Sequence, residues 1–207
     1  MPRAGLTTDR VVREAEDLAD EVGLPKLTLA EVAKRLGVRL PSLYKHVAGM
    51  DALQREIAIR AKLELAEVFG RAAVGRSGTT ALRSMASAYR AWAIEHPGRY
   101  AATVRAPRAD DEADQAASSA ATSVVLDVIA GFDLRGVDAI DAARAIRSAL
   151  HGFITLESEG GFGLPVDVDR SYAKLVEALC RSLETWASAP TSTQPTTTPS
   201  TPVRDST

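Results

Sequence analysis

Arg39, Ser42, Tyr44, Lys45 and His46 bring a guanidinium, an ammonium, two hydroxyls and an imidazole into one short stretch. Groups of these types suit phosphate oxygens and the acceptor-rich edge of guanine. Between Lys26 and Met50, the basic residues Lys26, Lys34, Arg35, Arg39 and Lys45 face only Glu31, in a chain of net charge −2. A basic segment on an otherwise acidic chain predicts a small surface for a polyanion and a body that repels it. A solvated helix face is the plainer alternative, and the charge pattern alone does not choose between them.

Other chemistry finds little support. His46, His96 and His151 lie far apart and lack the spacing of metal ligands. The acidic run Asp110-Asp111-Glu112-Ala113-Asp114 places negative charge at the start of a predicted helix, where the dipole favours it. Gly160, Gly161 and Gly163 follow no strand, which argues against a phosphate cradle. Cys180 is the one cysteine; it excludes an internal disulfide, lacks a histidine partner and reads as packing. The expectation is no catalytic site, no metal and no cofactor. No run of about 18 apolar residues is present, so no membrane partner is expected. The N-terminus turns polar at once with Thr7–Arg10, without the apolar core of a signal peptide, which predicts a cytoplasmic protein.

The elements that must position these groups are helical throughout, so the fold class is all-α. At 45% hydrophobic and 25% charged residues, the 207-residue chain can bury an ordinary core. A first helix fits Thr8–Val22, with Val11, Ala15, Leu18 and Val22 on one stripe and Gly23 as its stop. Thr28-Leu29-Ala30-Glu31 has the form of a capping box, opening a second helix that ends by Gly37. A short third helix fits Pro41–Val47, with proline first. A fourth begins near Met50 or Asp51 and runs through Leu53, Ile57, Ala61, Leu65 and Val68. Later helices fit Thr80–Glu95, Gly98 to about Arg105, Asp114–Ala130, Asp138–Ser158 and Asp169–Ala187. From Ser188 the chain is dominated by Thr, Ser and Pro, a composition that predicts a disordered tail over 188–207.

Residues 28–48 carry the strongest signal. Val32 and Leu36 form an apolar stripe, Ala33 admits a close neighbour, and Gly37 suits a sharp turn. Leu43 and Val47 point the third helix back into the same small core at i, i+4 spacing. This is what a helix-turn-helix needs, and it leaves an outer face free to enter a major groove. On that face Arg39 and Lys45 can contact guanine or phosphate, Ser42 either, and Leu40 a thymine methyl. Tyr44 and His46 can bind phosphates. Each has a structural alternative: Tyr44 packing on the first helix, His46 capping the third, Leu40 covering the turn.

Residues 8–57 resemble the DNA-binding domain of the TetR family of transcriptional repressors, in the stretch Leu27–Val38 and in Pro41–Val47 with Tyr44 and His46. The resemblance implies operator contacts from Thr28, Arg39, Leu40, Pro41, Ser42, Tyr44, Lys45 and His46. One departure is that Ala48-Gly49-Met50 holds no lysine where many relatives place one against a phosphate. The stretch Arg147–Phe153, with Leu156-Glu157 and Gly161-Phe162, is similar to the C-terminal region of a subgroup marked by Trp-His-Gly, Leu150 standing at the tryptophan position. Glu95–Tyr100 resembles the helix break before the ligand-facing segment.

The expected organisation is therefore a TetR-like helix-turn-helix domain at 1–50, a connecting helix at 51–74 and an effector-binding and dimerisation bundle at 75–187. Met85, Tyr89, Trp92, Tyr100, Val104, Val125, Ile129, His151 and Phe153 are candidate pocket residues for a small organic effector. Each also reads as an ordinary core residue, and His151 as a satisfied imidazole or a dimer contact. The last two long helices look like the pair that joins a homodimer in this family. The implied function is a regulator that binds double-stranded operator DNA, a repressor released by its effector. The alternative is a helical interaction protein of the same fold acting through a protein partner.

Overall fold

The side-chain oxygen of Thr7 accepts the backbone N–H of Arg10 at 3.2 Å and opens α1 (Thr8–Val22). The computed structural model describes residues 5–186; the tail expected at 188–207 and Ala187 lie outside the described residues. Val11, Ala15 and Leu18 of the α1 stripe are buried, while Val22, at its end, is only half-buried. A short 3₁₀ turn, Leu24–Lys26, leads to α2 (Leu29–Arg35). Thr28 caps α2 by accepting the Glu31 N–H at 3.2 Å. The Glu31 carboxylate does not return to the Thr28 backbone as a capping box requires; it accepts the Thr28 hydroxyl proton at 3.0 Å.

The turn after α2 is a Schellman motif: Gly37 N–H donates to Lys34 O at 3.1 Å and Val38 N–H to Ala33 O at 3.0 Å. Gly37 takes φ +67°, with open space where a Cβ would stand. Gly37→Ala is therefore expected to cost about 1 kcal/mol through backbone strain alone, measurable by urea unfolding. α3 (Leu40–Leu43) is shorter than the predicted Pro41–Val47 and starts one residue earlier. Ser42 N–H closes onto Arg39 O at 2.8 Å, and Leu40 rests on the head core, so the helix begins before the proline. Tyr44–His46 form a turn, and the Val47 N–H on Leu43 O at 2.9 Å keeps Leu43 and Val47 together in the core.

α4 (Met50–Ala73) belongs to two cores. Leu53, Ile57 and Ala58 close the core of the head with Val11, Val32 and Leu43, whereas Ala61, Leu65 and Phe69 enter the core of the body. The body adds α5 (Gly78–Glu95), α6 (Pro97–Thr103), α7 (Glu112–Ala130), α8 (Gly136–Ser158) and α9 (Val168–Glu184). No strand occurs among the described residues, so the chain is all-α. Helices α5, α7 and α8 start two residues before the sequence expectation. For α7 the reason is Asp111, whose carboxylate caps it by accepting the Asp114 N–H at 3.1 Å.

The short α6 bridges head and body. Its Ala102 completes the head core, and Gly98 lies directly on the α1 backbone at Ala19. Arg99 donates its backbone N–H to Asp20 Oδ1 at 2.8 Å, and its guanidinium lies 2.9 Å from Asp20, 3.2 Å from Asp17 and 3.3 Å from Glu64.

Candidate functional site

The outer side of the α2–α3 unit exposes Thr28, Arg39, Pro41, Tyr44 and Lys45; Tyr44 is 57% exposed, which removes the reading that it packs on α1. Leu40, Ser42 and His46 are half-buried beside them. Leu43, at 0% exposure, and Val47 anchor the same segment from beneath. Among the described residues, Arg39 and Lys45 form no ion pair, in contrast to Arg35, whose guanidinium is held by Glu14 and Glu21. The His46 carbonyl accepts the Thr8 hydroxyl at 3.3 Å, which ties the end of this segment to α1. Of the eight predicted residues, five are thus exposed and three half-buried, and the two cations among them form no ion pair with a described carboxylate. The Thr28 hydroxyl is committed to Glu31, leaving its other lone pairs and the α2 N–H groups as its contribution. Gly49 caps α4 without a side-chain bond, so the first N–H groups of α4 have no side-chain acceptor.

The second feature is a cavity of about 390 Å³ in the body, walled by α4, α5, α7, α8, the end of α6 and the segment after it. Its apolar surface comes from Leu65, Phe69, Met85, Val125, Ile146 and Leu150. Polar groups are Tyr89, Thr103, Ser118 and Thr122, and the charged ones are Lys62, Arg105, Arg144 and Arg147. Lys62 reaches past the wall to Asp114, 2.5 Å away and fully buried, which Arg105 also approaches at 3.5 Å. Next to it Arg55 grips Asp111 through two bonds of 2.5 and 2.6 Å and holds that carboxyl down at about 2. The acidic run is thus the other half of a cationic seam between α4 and α7, not merely charge for a helix dipole.

These two sites are joined within a chain whose residues 82–179 match the family described as "Tetracyclin repressor-like, C-terminal domain". Over 182 residues it is 35% identical to the HTH-type transcriptional regulator Rv0681 of Mycobacterium tuberculosis, covering 87% of this chain and 83% of that one. The chain belongs to the TetR family of transcriptional regulators. Its likeness to the HTH-type regulator YobS of Bacillus subtilis is 33% over 189 residues, 90% of this chain and 94% of that one. The fold also matches a TetR variant from Acinetobacter baumannii AYE crystallised with minocycline, at 21% identity and a TM-score of 0.67, covering 89% and 100% of the two chains. TetR-family membership makes this a DNA-binding regulator of transcription.

Of the nine pocket residues expected for a TetR-like body, Met85, Tyr89, Val104 and Val125 line the cavity. Tyr100 and His151 stand behind Tyr89 in a relay: the Tyr89 hydroxyl donates to Tyr100 Oη at 3.3 Å, and Tyr100 donates to His151 Nδ1 at 2.5 Å. Burial, and next the charge of Arg147, hold the His151 pKa below its ordinary value, so the imidazole accepts as a neutral ring. Trp92, Ile129 and Phe153 do not line the cavity. Ile129 is deep core, Trp92 stacks edge-on against His96, and Phe153 meets Phe162 and Tyr172 near α9. Lys62, Leu65 and Phe69 of α4 also line the cavity and are not among the residues expected there; their i, i+3, i+7 spacing is the signal in the sequence that marks them. Ser118 and Arg147 line it as well, and apolar bulk is no guide to such polar residues.

Proposed function

We propose that the protein acts as a homodimer that places one α3 in each of two successive major grooves of a pseudo-palindromic operator, half-sites about 34 Å apart. The observation that carries this reading is the uncompensated pair Arg39 and Lys45, exposed with Tyr44 and Pro41 over a buried Leu43 and Val47. Arg39, Leu40, Ser42 and Lys45 read base edges or phosphates; Thr28, Pro41, Tyr44 and His46 set the register. With no lysine after α3, the open N-terminus of α4 serves the adjoining phosphate.

Dimerisation through α8 and α9 is supported by what α8 leaves uncovered. Ala145, Ser148, Ala149 and Gly152 form a partly exposed strip of small side chains, followed by exposed Leu156, and Leu164 and Val166 are exposed just before α9. Such a strip lets two helices approach closely.

The cavity holds a small organic effector, and the default outcome is repression relieved by its binding. The A. baumannii relative, crystallised with minocycline, is one TetR protein with a bound small molecule. Two elements here touch both cavity and head. α4 lends Lys62, Leu65 and Phe69 to the wall and Leu53 and Ile57 to the head core; α6 lends Thr103 to the wall and Ala102 to the head core. A ligand that wedges α4 from α7 tilts the heads and alters their separation, and by linkage DNA and effector then weaken each other's binding.

A salt titration of promoter DNA binding tests the interface. Log affinity falls steeply with log salt, and Lys45→Ala lowers the slope by about 1. Arg39→Ala costs about 1–3 kcal/mol of operator binding and relaxes preference at one position of each half-site. Wild-type affinity and slope in Arg39→Ala, Tyr44→Ala and Lys45→Ala proteins alike exclude this contact set and favour regulation through a protein partner.

A further inference from the structure

The charged side chains in the cavity wall are all of one sign. Lys62, Arg105, Arg144 and Arg147 line it, and no carboxylate does. The acids that reach these cations are two: Asp114, shared by Lys62 and Arg105, and Asp141, 3.4 Å from Arg144 at an exposed position. Two positive charges are left over. Arg147 makes no hydrogen bond or ion pair with any described carboxylate, although its field is felt by the buried Tyr89 and Tyr100 and the half-buried His151. In the same wall the Ser118 hydroxyl oxygen is buried without a hydrogen-bond partner. A buried polar atom left unpaired is costly unless a ligand satisfies it.

The geometry points to an effector that is an amphipathic organic anion: an apolar body against Leu65, Phe69, Met85 and Val125, with one carboxylate or sulfonate facing Arg147 and Arg105. Ser118 bonds a polar atom of the same molecule. A neutral ligand fills the apolar space but leaves the excess charge unanswered, and a cation is repelled from it. A polyphosphate suits the charge but not the apolar wall. The inference builds on the reading of this cavity as the effector site.

The test uses two dyes that share their rings, anilinonaphthalene sulfonate and the uncharged phenylnaphthylamine, titrated by fluorescence into the full-length protein. The sulfonate binds with one molecule per chain and about tenfold tighter than the neutral amine. Arg147→Met lowers affinity for the sulfonate about tenfold and changes the amine far less. Val125→Trp fills the space and removes both; Ala143→Phe, from α8, serves if that variant does not fold. If both dyes bind equally and Arg147→Met treats them alike, while the filling variants still block them, the charge preference is overturned and the effector cavity stands. If neither dye binds, or binding survives both filled cavities, the cavity reading fails and the inference with it.

Discussion

Gly98→Ala loosens the head from the body. A Cβ on Gly98 stands 2.2 Å from both the carbonyl carbon and the oxygen of Ala19, and 2.6 Å from the amide nitrogen of Asp20. All three are backbone atoms of α1, so no side chain can rotate aside. α6 has to lift by more than an ångström, which strips the Arg99 N–H from Asp20, pulls Ala102 out of the head core and breaks the guanidinium contacts with Asp17 and Glu64. Overpacking of this severity costs about 3 kcal/mol. Thermal denaturation shows a lowered midpoint, and in the dimer proposed above operator affinity falls because the two heads lose their fixed separation. A variant as stable as the parent, with unchanged affinity for DNA, excludes the tight α1–α6 contact as the coupling point.

The second large effect is at the seam between α4 and α7. Lys62 Nζ lies 2.5 Å from Asp114 Oδ1, both side chains inside the molecule. Asp114→Asn leaves the ammonium in an apolar wall with only neutral oxygen for company, a loss of about 3–5 kcal/mol. Replacing both at once, Lys62→Met with Asp114→Leu, restores most of it, because an apolar pair of similar bulk carries no desolvation penalty. Chemical denaturation of the two proteins beside the parent reads the difference directly. Equal losses in the single and double variants show that side-chain shape, not charge pairing, holds α4 to α7.

The head was legible in the sequence because its signals are local. A hydroxyl before a carboxylate, a glycine after an apolar stripe, and Leu43 four residues before Val47 each concern atoms within one or two turns. What escaped is instructive. Helix α3 starts at Leu40 because that side chain has a place on the head core, a tertiary fact, and proline does not need the first position to be harmless. The cavity escaped for a different reason: periodicity shows which face of a helix turns inward but not where inward faces fail to meet. Trp92, Ile129 and Phe153 are as apolar and as periodic as Met85 and Val125, yet they meet neighbours while the latter border empty space. Asp114, at the start of α7, meets Lys62 from 52 positions away, a pairing that no local pattern signals.

The shared allegiance of α4 sets where this molecule can be recombined with its relatives. A chimera that grafts a foreign reading head at residue 50 severs Leu53 and Ile57 from the partners their shapes were fitted to, and offers the newcomer somebody else's keystone. The seam that respects the packing lies past Ala58, and even there a transplanted head brings Ala19 and Asp20 to a landing pad, Gly98 and Arg99, that must travel with it. The reading head and the proposed response of the cavity to an effector are therefore inherited in this chain as a joint trait.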